Sequence, residues 1–189
     1  PAVGSDGRKI LMSYTGTGGI VSSQESGGQY FTPYWVCEII ARMIGVETGA
    51  RVFDPTCGTG RMFEFLPQGA EATGIEIDAT PAGIARLLYP MHNIDQGDIL
   101  NNLHFRNQFD YVLGNPPFGL WWQVSSKKSN VASKAGKVLS QWKILEASIQ
   151  AVKTGGIIAL VVPKNTFTND RAADQRAQKF WNSNCIVRA

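Results

Sequence analysis

The four residues Asn115-Pro116-Pro117-Phe118 combine types that suit chemistry on an amino group carried by a planar ring. Two consecutive prolines fix the backbone at low entropic cost and remove two N–H donors. What remains is rich in acceptors: the Asn115 side-chain oxygen and the Pro116 carbonyl, with Phe118 as a stacking surface. Two acceptors facing one amine draw its nitrogen out of conjugation and aim the lone pair at an electrophile. A rigid turn with Phe118 in the core is the other reading of the tetrapeptide taken alone.

Three further stretches carry related chemistry. In Asp54-Pro55-Thr56-Cys57-Gly58-Thr59-Gly60 two glycines allow backbone to approach a ligand, and the helix that follows offers its positive N-terminus to an anion. Tight packing is the alternative, and the absence of G-x-G-x-x-G gives no reason to infer a dinucleotide. Glu76 and Asp78, in Gly74-Ile75-Glu76-Ile77-Asp78, stand about 20 positions further on, where doubly wound folds hold a ribose diol; a solvated strand end, or Asp78 opening the next turn, is the plainer reading. Asp98, in Gly97-Asp98-Ile99, can accept from an exocyclic amine with Ile99 flanking the ring, or is an ordinary loop residue.

Elements that must position these residues can be read from the rest of the chain. Thr32-Pro33 combines an N-cap type with a proline at the first helical position, and Trp35, Val36, Ile39, Ile40 and Met43 follow at helical spacing before Gly45. Residues 51–55 read as a strand, 57–60 as a turn into a short helix through Met62, Phe63 and Leu66, and 72–78 as a second strand. Thr80-Pro81 repeats the cap-and-proline device ahead of Ile84, Leu87 and Leu88. Residues 94–100 and 109–114 are a third and a fourth strand, 119–137 are loop-like, 138–152 are helical, and 157–162 form an apolar run suited to a strand buried on both faces. A helix over 170–181 and the opening of another strand at 186–189 complete the pattern. Strands alternating with helices predict an α/β fold with a doubly wound, mostly parallel sheet. Such sheets bind ligands beyond the carboxyl ends of their strands, near the switch in strand order. All four chemical stretches stand there, which makes a mere rigid turn at Asn115 a poor account of the set.

Composition limits the options. The chain of 189 residues, 43% apolar and 17% charged, can bury the core of one domain and does not read as disordered. No apolar run approaches the roughly 20 residues of a membrane span, and the first residues lack a signal-peptide stretch. Cys37, Cys57 and Cys185 lie far apart with only His92 and His104 beside them, which argues against a disulfide scaffold and a structural zinc site and suits a reducing cytosol. Charge is divided: residues 25–110 hold five basic and eleven acidic side chains, residues 111–189 eleven basic and three acidic. From Tyr111 to Leu145 there is no acid, while Lys127, Lys128, Lys134, Lys137 and Lys143 are all present. A lysine loop beside Asn115 suits contact with the phosphates of a polyanion, which positions a duplex without reading it; a solvated loop is the bland rival. Trp121 and Trp122 are placed to stack on bases or wedge between them, or to pack on the sheet edge. Residues 1–27, rich in Gly and Ser, read as a flexible arm, leaving 28–189 as the folded domain.

In this order and spacing, GQYFTP (28–33), DPTCGTG (54–60), GIEID (74–78), GDIL (97–100), NPPFG (115–119) and GGIIALVVP (155–163) resemble the S-adenosylmethionine-dependent adenine-N6 DNA methyltransferases whose cofactor motifs precede the catalytic one. FTP shortly before DPTCGTG, and NPPFG followed by Trp121-Trp122, are similar to the modification subunits of type I restriction systems and to fused restriction-methylation enzymes. The resemblance implies a Rossmann-like class I methyltransferase fold and methyl transfer to N6 of a flipped-out adenine in DNA. It implies that Tyr30, Thr32 and Pro33 lie beside the methionine part of S-adenosylmethionine and that Asp54, Thr56, Gly58 and Gly60 shape the loop around it. Glu76 then binds the ribose, Asp98 with Ile99 the cofactor's adenine, and Asn115, Pro116, Pro117 and Phe118 form the catalytic pocket. No metal and no histidine base is expected, because a sulfonium is already a strong methyl donor and positioning can carry the rate. RNA and protein-amide methyltransferases share the tetrapeptide and are the rival enzymes; a non-catalytic cofactor- or DNA-binding module of an assembly is the rival of another class. Against the family pattern, the closing strands and a target-recognition domain are missing. The expectation is therefore a cytoplasmic catalytic domain, incomplete at its C-terminal side, that works with further domains or a specificity partner.

Overall fold

Val52 and Phe53 are neighbours in the chain yet belong to different cores, and this alternation organises the molecule. The computed structural model describes residues 4–14, 31–100, 104–123, 131, 136–168 and 172–185. They run α1 (Ser5–Met12), α2 (Tyr34–Ile44), β1 (Arg51–Asp54), a 3-10 helix (Arg61–Phe65), β2 (Glu71–Glu76), α3 (Ala79–Leu88), β3 (Asn93–Gln96) and β4 (Phe109–Gly114). After these come β5 (Trp121–Gln123), β6 (Lys137–Leu139), α4 (Ser140–Ala151), β7 (Val152–Leu160) and α5 (Ala172–Asn184). Five strands form one parallel sheet in the order β3-β2-β1-β4-β7. The chain steps outward from β1 to β3, then crosses to the other side of β1 to lay down β4. The switch in order lies between β1 and β4, where Val52 pairs with Tyr111 and Phe53 with Val112.

Parallel strands need crossovers, and these cover both faces of the sheet. On one face Val52, Ala72 and Leu113 pack with Cys37 of α2, Ala82, Ala85 and Leu88 of α3, and Phe63. On the other, Phe53, Ile75 and Val112 pack with Ile144, Ala147 and Ala151 of α4. A third core joins the outer side of α4 to the β5–β6 hairpin and α5 through Val138, Trp142, Leu145, Ala177 and Trp181. There the Trp142 Nε1–H donates to Asp174 Oδ1 at 2.7 Å. Sandwiched in this way, α4 is buried on all sides from Ser140 to Ser148.

The expected doubly wound α/β sheet is present, with differences of detail. Ser5–Met12 is a helix held in place, not a loose arm: Arg8 donates to the Leu88 carbonyl at 2.9 Å, pairs with Glu64 and lies over the Tyr89 ring. Pro33, rather than Thr32, stands at the cap of α2, and its buried stripe is Cys37 and Ala41, leaving Trp35, Ile39 and Met43 exposed. Asp78 caps α3, its carboxylate accepting from the Thr80 N–H at 2.9 Å, because a cap side chain must reach back from outside the first turn and Thr80 is already inside it. β5 lies within the stretch expected to be loop, and β6 takes Lys137 with the first two residues of the expected helix; the two pair antiparallel, Trp122 opposite Val138, and strands of three residues are too short to show a period. The apolar run expected to be buried on both faces belongs to β7, which is an edge of the sheet among the described residues and leaves Ile157 43% exposed. The strand expected at 186–189 lies outside the described residues. No helix among the described residues is long and apolar enough to cross a membrane.

Candidate active site

Because the strands are parallel, their carboxyl ends converge, and the loops that follow them line one cleft. Its walls are Phe31, Pro55, Thr56, Gly58, Ile75, Glu76, Ile77, Pro81, Gly97, Asp98, Ile99, Asn115, Pro116, Pro117 and Trp122. Residues 60 positions apart in sequence, Thr56 and Pro116, thus share a wall.

Glu76 organises one side of the cleft. Its Oε2 accepts from the Gly58 N–H and its Oε1 from the Asp78 N–H, both at 2.9 Å. Backbone bonds knit the same region: Cys57 N–H to the Ile75 carbonyl and Gly97 N–H to the Glu76 carbonyl, again at 2.9 Å. Burial pushes the Glu76 carboxyl above the usual carboxylate range, while the two amide donors pull it back. A carboxylate offers about four acceptor directions, so those facing the cleft remain for ligand hydroxyls. Asp98 Oδ1 accepts from the Leu100 N–H at 2.9 Å, an Asx turn that places Ile99 in the cleft wall.

Asp54 lies beneath this loop rather than in the cleft wall. It is 1% exposed and accepts from the Thr56 N–H at 3.0 Å. Burial drives its carboxyl up to about 7, opposed by the Thr56 amide and reinforced by the nearby charge of Glu76. Its place at the switch point requires glycine on β4, since a Cβ at Gly114 would stand 2.7 Å from Asp54 Oδ1. The two glycines of the loop also part company. Gly58 lines the cleft with free space where a Cβ would project, whereas a Cβ at Gly60 would meet the Tyr89 ring at 2.8 Å. The side of Gly60 where a Cβ would project is thus closed by packing against Tyr89.

The segment before α2 contributes Phe31 to the cleft, while Thr32 and Pro33 stand outside its lining. Arg61 fixes this segment: it donates to the Thr32 carbonyl at 3.1 Å and the Tyr14 carbonyl at 3.0 Å, and lies over the rings of Phe31 and Tyr34. Tyr30 lies outside the described residues.

On the β4 side, Asn115 Oδ1 is buried with no hydrogen-bond partner among the described residues, and so is Thr56 Oγ1 in the loop after β1. A buried acceptor left unpaired costs about 1–3 kcal/mol, so such an atom in a cleft wall marks a place for a ligand or water. Phe118 is half-buried and does not line the cleft; the aromatic wall beside Asn115 is Trp122. Trp121 points away and is 50% exposed. Lys137 is exposed on β6, and Lys127, Lys128 and Lys134 lie outside the described residues. Lys143, which composition groups with them, is buried and pairs with Glu146 at 2.5 Å. His92 packs on Phe63 and accepts from the Ala72 N–H, and neither it nor His104 lines the cleft. Among the described residues no cluster of His, Cys, Asp and Glu could hold a metal. Sequence reasoning misses Phe31, Ile77 and Pro81 as wall residues. For Ile77 a signal exists: an apolar side chain placed directly after the acid at a strand end, which is 68% exposed.

A parallel sheet wound this way, with its cleft at the switch point, defines the class I methyltransferase fold. Solved structures share it. A Listeria monocytogenes protein assigned to the class I S-adenosylmethionine-dependent methyltransferases superposes with a TM-score of 0.67 at 19% identity, covering 93% of this chain and 57% of that one. The methyltransferase subunit of a type I restriction-modification system from Streptococcus thermophilus gives 0.66 at 20% identity, over 80% of this chain and 38% of that one. The chain belongs to the N-6 DNA methylase family, whose model matches residues 19–189. Among curated relatives, Defense against restriction protein B of Escherichia phage P1 is 29% identical over 161 residues, 82% of this chain and 7% of that protein. The type I restriction enzyme MpnII methylase subunit of Mycoplasma pneumoniae is 33% identical over 135 residues, 58% of this chain and 25% of that protein. The chain thus spans a quarter or less of the length of these two relatives.

Proposed function

We propose that the cleft binds S-adenosylmethionine along the ends of β1 to β3 and a flipped-out adenine of DNA between Asn115 and Trp122, and that methyl transfer to adenine N6 takes place between them. One observation carries the reading: Asn115 Oδ1 is a buried acceptor, without a partner among the described residues, in a cleft whose carboxylates already hold backbone amides. The residues present fit the cofactor. Glu76 retains acceptor directions for a ribose diol, Asp98 suits the adenine amine with Ile77 and Ile99 along the ring, and Thr56 and Phe31 suit the methionine part.

When bound, S-adenosylmethionine supplies an electrophilic methyl group on a sulfonium. The chain's own work lies on the other side. Asn115 Oδ1 and the Pro116 carbonyl accept from the two hydrogens of the target amine, which localises its lone pair. Pro116 and Pro117, lacking N–H groups, offer no donor that would compete for that lone pair. Trp122 supplies a stacking wall for a base that has left its helix at a cost of roughly a few kcal/mol. The lysines between β5 and β6, on the hairpin that carries Trp122, contact phosphate without reading sequence. By likeness to the type I methylase subunit, further domains or a specificity partner read the target site.

The test is transfer of labelled methyl groups by the intact protein to DNA, RNA and protein in parallel. Label recovered as N6-methyladenine in DNA is expected; label found only in RNA or on protein amides overturns the reading.

A further inference from the structure

Between Gly114 and Trp121 the chain has few means of holding itself. Pro116 and Pro117 donate no hydrogen bonds, and Gly119 reverses the chain with φ +73°. Three backbone groups of this loop are tied to two adjacent residues of another element. The Ser140 hydroxyl donates to the Pro117 carbonyl at 2.7 Å. The Ser140 N–H donates to the Leu120 carbonyl at 2.8 Å. The Gly119 N–H donates to Gln141 Oε1 at 3.1 Å. Both side chains are buried, Ser140 completely and Gln141 to 6% exposure.

We propose that Ser140 and Gln141, the first residues of α4, are positioning residues for the target side of the cleft, holding Pro117 so that the acceptors of Asn115 and Pro116 meet the incoming amine. The proposal rests on the reading of 115–117 as the target pocket. Helix formation does not account for the pair. Leu139, which has no capping side chain, stands at the cap of α4, and Ser140, the first helical residue, donates its hydroxyl away from the helix to the Pro117 carbonyl. The Ser140 amide is one of the donors that a helix start leaves unpaired, and it extends the β5–β6 pairing one step beyond Trp121 and Leu139. Polar side chains are costly to bury unless bonded, and apolar residues would serve packing between sheet and hairpin as well. What the polar pair adds is a fixed height and direction for Pro117, directly after the residues that face the amine. The hairpin, α4 and the proline loop become one unit, so Trp122 and Asn115 keep their spacing across the cleft.

The experiment compares Ser140→Ala, Ser140→Thr and Gln141→Leu with the wild type in the intact protein. It measures single-turnover methyl transfer at saturating DNA, S-adenosylmethionine affinity by calorimetry, and exchange of the Gly119 amide. Displacing the acceptors slightly is expected to slow transfer by about tenfold or more in the Ala and Leu variants, with cofactor affinity held within about twofold. Faster exchange at Gly119 is expected in Gln141→Leu, and Ser140→Thr, which keeps the hydroxyl, is expected to restore the rate. Equal rates in Ser140→Ala and Ser140→Thr, or equal losses of rate and cofactor affinity in every variant, overturn the proposal alone. A wild type that transfers methyl to no substrate overturns the reading of the site and this proposal with it.

Discussion

On the β1–β3 side of the cleft the carboxylates already hold backbone amides, and on the β4 side the Asn115 oxygen has no partner among the described residues. The Glu76 carboxylate is held by two amides and Asp98 by a third, so this side presents a shaped, charged surface before any ligand arrives. Asn115 Oδ1 is buried and unpaired. The difference separates binding from chemistry. Groups that touch only parts of a ligand remote from the reacting atoms add affinity equally to ground state and transition state, while an acceptor that meets the reacting amine can strengthen its bond as the lone pair is localised. Changes on the first side should therefore appear in cofactor affinity, and changes on the second in rate.

The largest effect expected is at Asn115. Asn115→Ala removes one preorganised acceptor and should lower methyl transfer by about a hundredfold or more, with calorimetric affinity for S-adenosylmethionine unchanged. Thermal stability should hold or rise, because the variant deletes a buried oxygen that has no partner among the described residues. A variant with normal rate would reduce the proline loop to a rigid turn. One with both rate and cofactor affinity reduced would erase the distinction between the two sides.

Next in size is Glu76. Glu76→Ala leaves the Gly58 and Asp78 amides without their acceptor and removes the partner proposed for the ribose. Cofactor affinity should weaken by about 1–3 kcal/mol. Because the residue acts in binding, the single-turnover rate at saturating cofactor should change far less than in Asn115→Ala. Unchanged calorimetric affinity would remove Glu76 from the site.

Both residues are legible in the sequence for the same physical reason. Each stands at the carboxyl end of a strand, Glu76 as the last residue of β2 and Asn115 directly after β4, and a parallel sheet gathers such positions at one edge however far apart they stand. What escapes is whatever depends on a neighbour supplied by another element. Gly58 and Gly60 are identical in type and two positions apart, but Tyr89, on the turn after α3, packs over only one of them. Phe118 and Trp122 both suit a stacking wall, and the pairing of a three-residue strand decides that Trp122 faces the cleft. Lys143, in a stretch that reads as helical, counts as one more basic side chain until α4 is seen to be buried on all sides, with Glu146 one turn on. The α1 helix is hidden because Gly and Ser dominate the composition around it, and its anchors, Glu64 and Leu88, are remote in sequence.

Asp54 sharpens the comparison from below, as a buried acid that supports the cofactor loop without lining the cleft. Its folded-state value of about 7 lies above its ordinary value near 3.8, so the folded protein keeps a proton that the unfolded chain releases in that interval. Stability contributed by this group is full at acid pH and is lost as pH rises through about 7. Glu76, also raised, adds a contribution of the same sign. Denaturant unfolding followed across this window should show the wild type losing stability toward neutral pH, and Asp54→Asn should lose less. Parallel curves for the two proteins would mean that Asp54 does not titrate in this interval.

The smallest effect per residue is expected from the lysines on the target side, where binding of DNA phosphates should add affinity without touching rate or cofactor. Gln123 and Lys137 pair at the ends of β5 and β6, one residue beyond the Trp122–Val138 pair, and Lys127, Lys128 and Lys134 lie between them in sequence, outside the described residues. Lys143 is excluded by its burial and its bond to Glu146. Each lysine–phosphate pair that is removed should flatten the slope of log affinity against log salt by roughly 0.9 for duplex DNA. Changing Lys127, Lys128, Lys134 and Lys137 to alanine together should therefore reduce the slope by up to four such steps, while single-turnover rate at saturating DNA stays near wild type. Converting Lys143 to methionine should leave the slope alone, since a charge neutralised inside the protein releases no counterions from DNA. A quadruple variant with an unaltered slope would place the phosphate-binding surface elsewhere, and the link between the basic second half of the chain and the target side of the cleft would be broken.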